Sequence, residues 1–239
     1  MIELFLVPAE IPVDLDKDRT VVIVDIFRAT TSMAAALAAS AEALYPVGSI
    51  AEAGKLKNEL GDSTLLAGER NGYRIEKYDF GNSPAEMIQE KVSGQKIIFN
   101  STNGTKLLRR FSEFDKVLLG SFVCMSSVVS MLTELSAPPV ICCAGQEGRF
   151  SGEDTMAAGM MISRLSDIFP YGNDAAQFAR LSYENCGADW REIAINSTHG
   201  QYLKSIGMGD DLVFCTDLDR FDFLPIKSGN KIIRNCMPL

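Results

Sequence analysis

A carboxylate closing an apolar strand is costly unless it has a partner or a task. Asp25 stands there, directly after Val21-Val22-Ile23-Val24, and opens the run Asp25-Ile26-Phe27-Arg28-Ala29-Thr30-Thr31-Ser32. An aspartate at a strand end can hold Mg2+. The hydroxyls and N–H groups of the helix start that follows can hold a phosphate at the positive end of the helix dipole. Arg28 can grip an anion through two parallel hydrogen bonds. Thr30, Thr31 and Ser32 suit a plain helix cap equally well, and one group can do both. A second loop, Gly68-Glu69-Arg70-Asn71-Gly72, puts Glu69 in the same strand-end position as Asp25. It leads to Asp79-Phe80-Gly81-Asn82-Ser83-Pro84, with Asn82 and Ser83 at a helix start. A solvated Glu69–Arg70 turn is the plainer reading of that loop. The third, Asn100-Ser101-Thr102-Asn103-Gly104-Thr105, offers amides, hydroxyls and a glycine for close backbone approach to an anion. An ordinary capped turn would look the same, and the Gly-Lys-Ser/Thr of a nucleotide-binding loop is absent.

A fourth segment pairs Cys143 with Arg149 at the Cys-x5-Arg spacing of cysteine phosphatases. Phe150 stands where those enzymes have Ser or Thr, and Glu147 within the loop would repel phosphate and raise the thiol pKa. Cys143 is therefore expected to be a buried strand-end residue. Glu153 and Asp154 begin a helix, where either can reach a metal or simply cap. The single histidine, His199, argues against a histidine phosphatase and against a zinc cluster. It lies outside these loops and is expected at the surface of a helix start. Asp217-Leu218-Asp219 is followed by Arg220-Phe221 and does not make an aspartyl-phosphate motif. Neither a Gly-x-Ser-x-Gly elbow nor a Gly-x-Gly-x-x-Gly fingerprint occurs.

These loops need a scaffold that brings strand ends together. Short apolar runs alternate with helix-like segments, which predicts an α/β fold of three layers, α/β/α, around a mixed, largely parallel sheet. Strands are expected at 2–7, 20–26, 44–47, 64–67, 96–99, 116–119, 139–143 and 212–215. A hairpin at the sheet edge is expected from 223–227 and 231–234, around Ser228-Gly229-Asn230. Ser49-Ile50-Ala51-Glu52 and Ser83-Pro84-Ala85-Glu86 fit capping boxes, Ser151 starts a looser one, and Asp174 and Thr198 suit caps of later helices. Ligands of α/β sheets bind beyond the carboxyl ends of strands, which is where the polar loops fall. Residues 1–239 read as one domain. The order strand, Thr-rich loop, helix, strand, Gly-Ser occurs twice, suggesting two related units of about 1–95 and 96–239; simple α/β regularity gives the same pattern.

Composition narrows the partners. The chain has 239 residues, with 31 acidic and 23 basic side chains and a net charge of -8. Nucleic acid is not expected to be the partner, because phosphate backbones need basic surface. A small anion remains compatible, since a local cationic pocket or a metal can hold it. The N-terminus has no basic leader and no apolar stretch reaches spanning length, so a cytoplasmic protein without a membrane partner is expected. The six cysteines form no Cys-x-x-Cys pair and read as free thiols. A homodimer is compatible with the sequence.

Taken in order, several of these motifs resemble one family. Asp25-Ile26-Phe27-Arg28-Ala29-Thr30-Thr31, Gly68-Glu69-Arg70, Phe80-Gly81-Asn82-Ser83-Pro84, Thr102-Asn103-Gly104-Thr105, Cys143-Ala144-Gly145 and Glu153-Asp154 are similar to the motifs of 2-phosphosulfolactate phosphatases. The late Phe214-Cys215, Asp219, Asp222 and Pro225 fit too, so the resemblance spans nearly the whole chain. It implies Mg2+-dependent hydrolysis of 2-phospho-3-sulfolactate to 3-sulfolactate and phosphate, a step of coenzyme M synthesis in methanogens. On that reading Asp25 and Glu69 hold the metal, with Asp154 as a third ligand. Thr30, Thr31, Asn103, Gly104 and Thr105 cradle the phosphate, beside Asn82 and Ser83. Arg28, Arg70 or Arg149 meets the carboxylate and the sulfonate. Two other readings stand beside it: an enzyme of the same fold acting on another phosphorylated hydroxy acid, and a non-catalytic binder of an anionic metabolite.

Overall fold

The computed structural model describes residues 1–235, so Cys236 lies outside the described residues. Ten strands form one sheet: β1 (Glu3–Phe5), β2 (Val21–Val24), β3 (Ala43–Pro46), β4 (Leu65–Arg70), β5 (Tyr73–Arg74), β6 (Lys96–Asn100), β7 (Val117–Gly120), β8 (Val140–Cys143), β9 (Leu224–Ser228) and β10 (Lys231–Asn235). Their order is β1-β8-β2-β7-β9-β10-β3-β6-β4-β5. β1, β8, β2 and β7 make one parallel block, and β3, β6 and β4 make a second.

The β9–β10 hairpin joins the two blocks. Its strands meet β7 at Ile226 and Leu118, and β3 at Ile232 and Leu44, both antiparallel. The edge position expected for this hairpin is therefore corrected: it lies at the centre of the sheet. The reason is that each parallel block has an open strand edge, and the hairpin covers both while burying Leu224 and Ile232. Strands from both halves of the chain mix in each block, with β2 lying between β8 and β7 and β6 between β3 and β4.

Both faces of the sheet are covered. Val22, Val24, Ile141 and Cys143 pack into one apolar cluster, while their neighbours Val21, Ile23, Val140 and Cys142 pack into another on the opposite face. This two-residue alternation with both sets buried explains the continuous apolar runs of these strands. The first face is covered by α5 (Met125–Thr133), α6 (Gly152–Leu165) and α7 (Asp174–Cys186). The second is covered by α1 (Ala29–Ala38) and α4 (Gly104–Arg110), with α2 (Ile50–Leu60) over β3 and β6. The alanine run of α1 lets its backbone pack close; nine of its side chains, from Ala29 to Leu37, are buried. α3 (Gln89–Val92), α8 (Trp190–Ile195), α9 (Thr198–Ser205) and α10 (Gly209–Cys215) complete the helices described.

Several local expectations shift. Ser49 caps α2 by accepting from Glu52 N at 3.1 Å, while Glu52 accepts from Gly48 N at 2.9 Å. At Ser83 no helix is capped: 84–86 is a single 3-10 turn, and the Ser83 hydroxyl donates to Asp211 instead. α7 and α9 are capped by Asn173 and Ser197, each one residue before the expected Asp174 and Thr198. The strand expected at 212–215 is instead the end of α10. Asp211, Leu212 and Cys215 are buried there while Val213 is 64% exposed, the three-to-four spacing of a helix. A four-residue apolar run does not reveal that spacing. Among the described residues no helix is long and apolar enough to cross a membrane.

Candidate active site

The carboxyl ends of both parallel blocks meet at a cleft of about 50 Å3. Asp25 comes from the end of β2, Glu69 from β4, Thr102 and Asn103 from the loop after β6, and Gln146 from the loop after β8. Arg28, Asn82 and His199 also line it.

Asp25 is buried, 7% exposed. Its Oδ1 accepts from Ala29 N at 3.2 Å, and its backbone carbonyl accepts from Thr30 N and Thr30 Oγ1. The Thr31 hydroxyl turns back to Ile26 O at 3.1 Å, so both threonines brace the start of α1. Oδ2 faces the first residue of α4, where a Cβ on Gly104 would come within 2.5 Å of it. Glycine is thus required for α4 to approach this carboxylate. Burial pushes Asp25 up to about 6; His199 and the Ala29 N–H pull it down, while Glu69 and Glu153 add to the rise.

Glu69 stitches two loops together. Its Oε2 accepts from Gly72 N at 2.9 Å and its Oε1 from Thr102 N at 2.7 Å. Arg70 donates to its neighbour's carbonyl, Glu69 O, and to Asn100 Oδ1. Arg28 donates to Asp211 Oδ2 at 2.6 Å and to Gly72 O at 2.7 Å. Ser83 closes on the other oxygen of Asp211. Asp211 was missed in the sequence; its buried pairing with Arg28 spans 183 positions and leaves no local signal.

Asn82 Oδ1 and Thr102 Oγ1 are buried without a partner, although both residues line the cleft. Buried polar atoms are almost always satisfied, so such orphans suggest an absent ligand or water. Thr105 and Ser101 cap one another at the start of α4. Asn103 lines the cleft and makes no side-chain cap bond. Arg149 is not brought in: it is exposed in the 146–149 turn.

Asp154, expected as a third metal ligand, does not line the cleft that holds Asp25 and Glu69. Its two oxygens accept from Ile26 N at 2.8 Å and Gly145 N at 3.1 Å, tying the β2 and β8 loops together. Burial, then the charges of Glu153 and Asp25, hold its carboxyl well above the usual range. The surface role expected for His199 is corrected. Its side chain is only 16% exposed, with Nδ1 3.1 Å from Glu153 Oε1 and its ring edge-on to Phe27. Cys143 is fully buried, and burial pushes its thiol well above the ordinary value, as an inert core residue requires.

Among the described residues no three acidic, histidine or cysteine side chains gather into a metal cluster. The cleft instead combines carboxylates with neutral oxygens. Such a set fits a hard cation like Mg2+, which takes one or two protein carboxylates and completes its shell from water and substrate oxygens. Asp25 is the suitable first ligand, because a divalent charge would offset the cost of its burial.

Sheet and cleft together give an α/β fold whose polar groups gather at the carboxyl ends of parallel strands. The chain belongs to the 2-phosphosulpholactate phosphatase family, whose model matches residues 5–230. A "Probable 2-phosphosulfolactate phosphatase" of Caldanaerobacter subterraneus is 37% identical over 223 residues, covering 91% of each chain. One from Carboxydothermus hydrogenoformans is 36% identical over 92% of each chain, and one from a Synechococcus species is 35% identical over 98% of each.

Proposed function

We propose that this chain hydrolyses the phosphate ester of 2-phospho-3-sulfolactate, releasing 3-sulfolactate and phosphate, with Mg2+ as cofactor. The observation that carries this reading is the buried Asp25 carboxylate in a cleft with unpartnered oxygens, within a chain that matches the family over residues 5–230. Asp25 and Glu69 would hold the metal, directly or through water. When bound, Mg2+ neutralises charge on the phosphate oxygens. Thr102, Asn103 and the N–H groups that open α4 cradle the phosphate, and Asn82 Oδ1 accepts from a water or a protonated substrate oxygen. Arg28 and Arg70 keep the loops in register through Asp211, Gly72 and Asn100. An adjoining cleft of about 520 Å3 shares Thr102 and Asn103 and brings in Lys106, a cation suited to the sulfonate. The reaction belongs to the cytoplasm, and to coenzyme M synthesis where the host makes that cofactor.

Substrate choice is tested by phosphate release from 2-phosphosulfolactate, 2-phospholactate and glycerol 2-phosphate. The sulfonated ester should have the highest kcat/KM, by about tenfold or more if Lys106 adds one charge-assisted hydrogen bond. Faster turnover of 2-phospholactate would assign the enzyme to another phosphorylated hydroxy acid.

A further inference from the structure

His199 and Glu153 form a unit that the metal and the phosphate cradle leave without a task. Glu153 is buried, its side chain 2% exposed, and sits at the start of α6, while His199 sits at the start of α9. One carboxylate oxygen lies 3.1 Å from His199 Nδ1; the other is buried with no partner. Burial alone would push Glu153 up, but its hydrogen bond to His199 and the imidazolium charge outweigh this and hold it below its usual range. The imidazole is braced on one side by that bond and on another by the Phe27 ring, 6.4 Å away edge-on. Nε2 makes no hydrogen bond to the described residues, and His199 lines the same cleft as Asp25. It also lines a second cleft of about 320 Å3, which gives the ring a route to solvent. A buried carboxylate on one ring nitrogen, with no protein partner on the other and a cleft beside the ring, suits an oriented proton donor.

We propose that His199 is a catalytic residue, the general acid that protonates the leaving alcohol, and that Glu153 is its positioning residue. This rests on the phosphatase reading above. A water oxygen forms the new bond to phosphorus as the bond from phosphorus to the ester oxygen breaks. The ester oxygen keeps that electron pair and takes the proton from His199 Nε2, leaving as the free hydroxy acid. One proton of the water stays on the product phosphate. The other passes to solvent, from which the neutral imidazole regains its proton. An alkoxide at the carbon next to a carboxylate is a poor leaving group, so the donated proton matters for this class of ester.

The test compares 2-phospholactate with its 3,3,3-trifluoro analogue, whose alcohol leaves more readily without a proton. With 2-phospholactate, His199→Ala should lose about 10²-fold or more in kcat, the usual contribution of general acid catalysis, with little change in KM. On the trifluoro ester that deficit should shrink at least about tenfold, since the leaving group then needs less help. Glu153→Gln keeps an acceptor for Nδ1 but removes the charge, and should lose about tenfold in kcat alone. His199→Asn and circular dichroism guard against a folding defect. Equal deficits on the two esters, or a wild-type kcat in His199→Ala, would overturn the proton donor and leave the phosphatase reading standing. A wild-type protein inactive on 2-phosphosulfolactate and on both of these esters would remove both.

Discussion

Asp25→Asn should abolish most phosphate release while making the metal-free protein more stable at pH 8. Asparagine keeps the shape and can still accept from Ala29 N, so the loop should hold. What disappears is the charge proposed to hold the metal, and kcat should fall by roughly 10²–10³-fold or more, as when a group stabilising transition-state charge is lost. The stability change follows from proton linkage. The folded pKa of Asp25 is raised from 3.8 to about 6, so between these values the folded state binds more protons than the unfolded state. Stability from this group is therefore present below about pH 4 and is lost as pH rises through about 6. Above that the ionised, buried carboxylate costs on the order of 2–3 kcal/mol. Asparagine carries no such cost. Denaturant unfolding in chelator at pH 5 and pH 8 should show a smaller fall between the two for Asp25→Asn than for wild type. A fully active Asp25→Asn protein would contradict this placement of the metal, and one destabilised at pH 8 in chelator would contradict the cost assigned to the buried charge.

Arg28→Ala should unfold more easily before it can report on substrate. The Arg28–Asp211 pair is 2.6 Å apart with side chains 2% and 6% exposed, and Gly72 O takes a second guanidinium donor. Removing one partner of a buried pair leaves the other charge without compensation, at a cost of roughly 3–5 kcal/mol. The same loss is expected for Asp211→Ala. The double variant Arg28→Met/Asp211→Leu should recover part of it, because no lone charge is then buried. Urea midpoints of the three variants give the comparison. An Arg28→Ala protein of wild-type stability with a raised KM would return Arg28 to the anion-binding role its loop position suggests.

The parts legible in the sequence were those written in local patterns. Val21–Val24 followed by Asp25 announced an apolar strand and a strand-end carboxylate, and Ser49 with Glu52 announced a helix start. Short apolar runs were ambiguous by nature: Leu212-Val213-Phe214-Cys215 suits a strand as well as the last turn of a helix. Ladder partners are long-range facts. Nothing within 223–235 indicates that the hairpin will close the gap between β7 and β3. The site divides in the same way. The strand-end loops were visible, whereas the Glu153–His199 contact spans 46 positions and the Arg28–Asp211 pair spans 183. The second pairing also shows why a loop arginine was read as a substrate ligand: residue type and position were visible, but the buried partner was not.

The central claim is a metal-dependent phosphatase centred on Asp25, and its most direct measurement is phosphate release from 2-phosphosulfolactate by the purified chain. After exhaustive chelation release should stop, and added Mg2+ should restore it without any need for Zn2+. Undiminished release after chelation would contradict the metal at Asp25, and no release with saturating Mg2+ would contradict the assigned substrate.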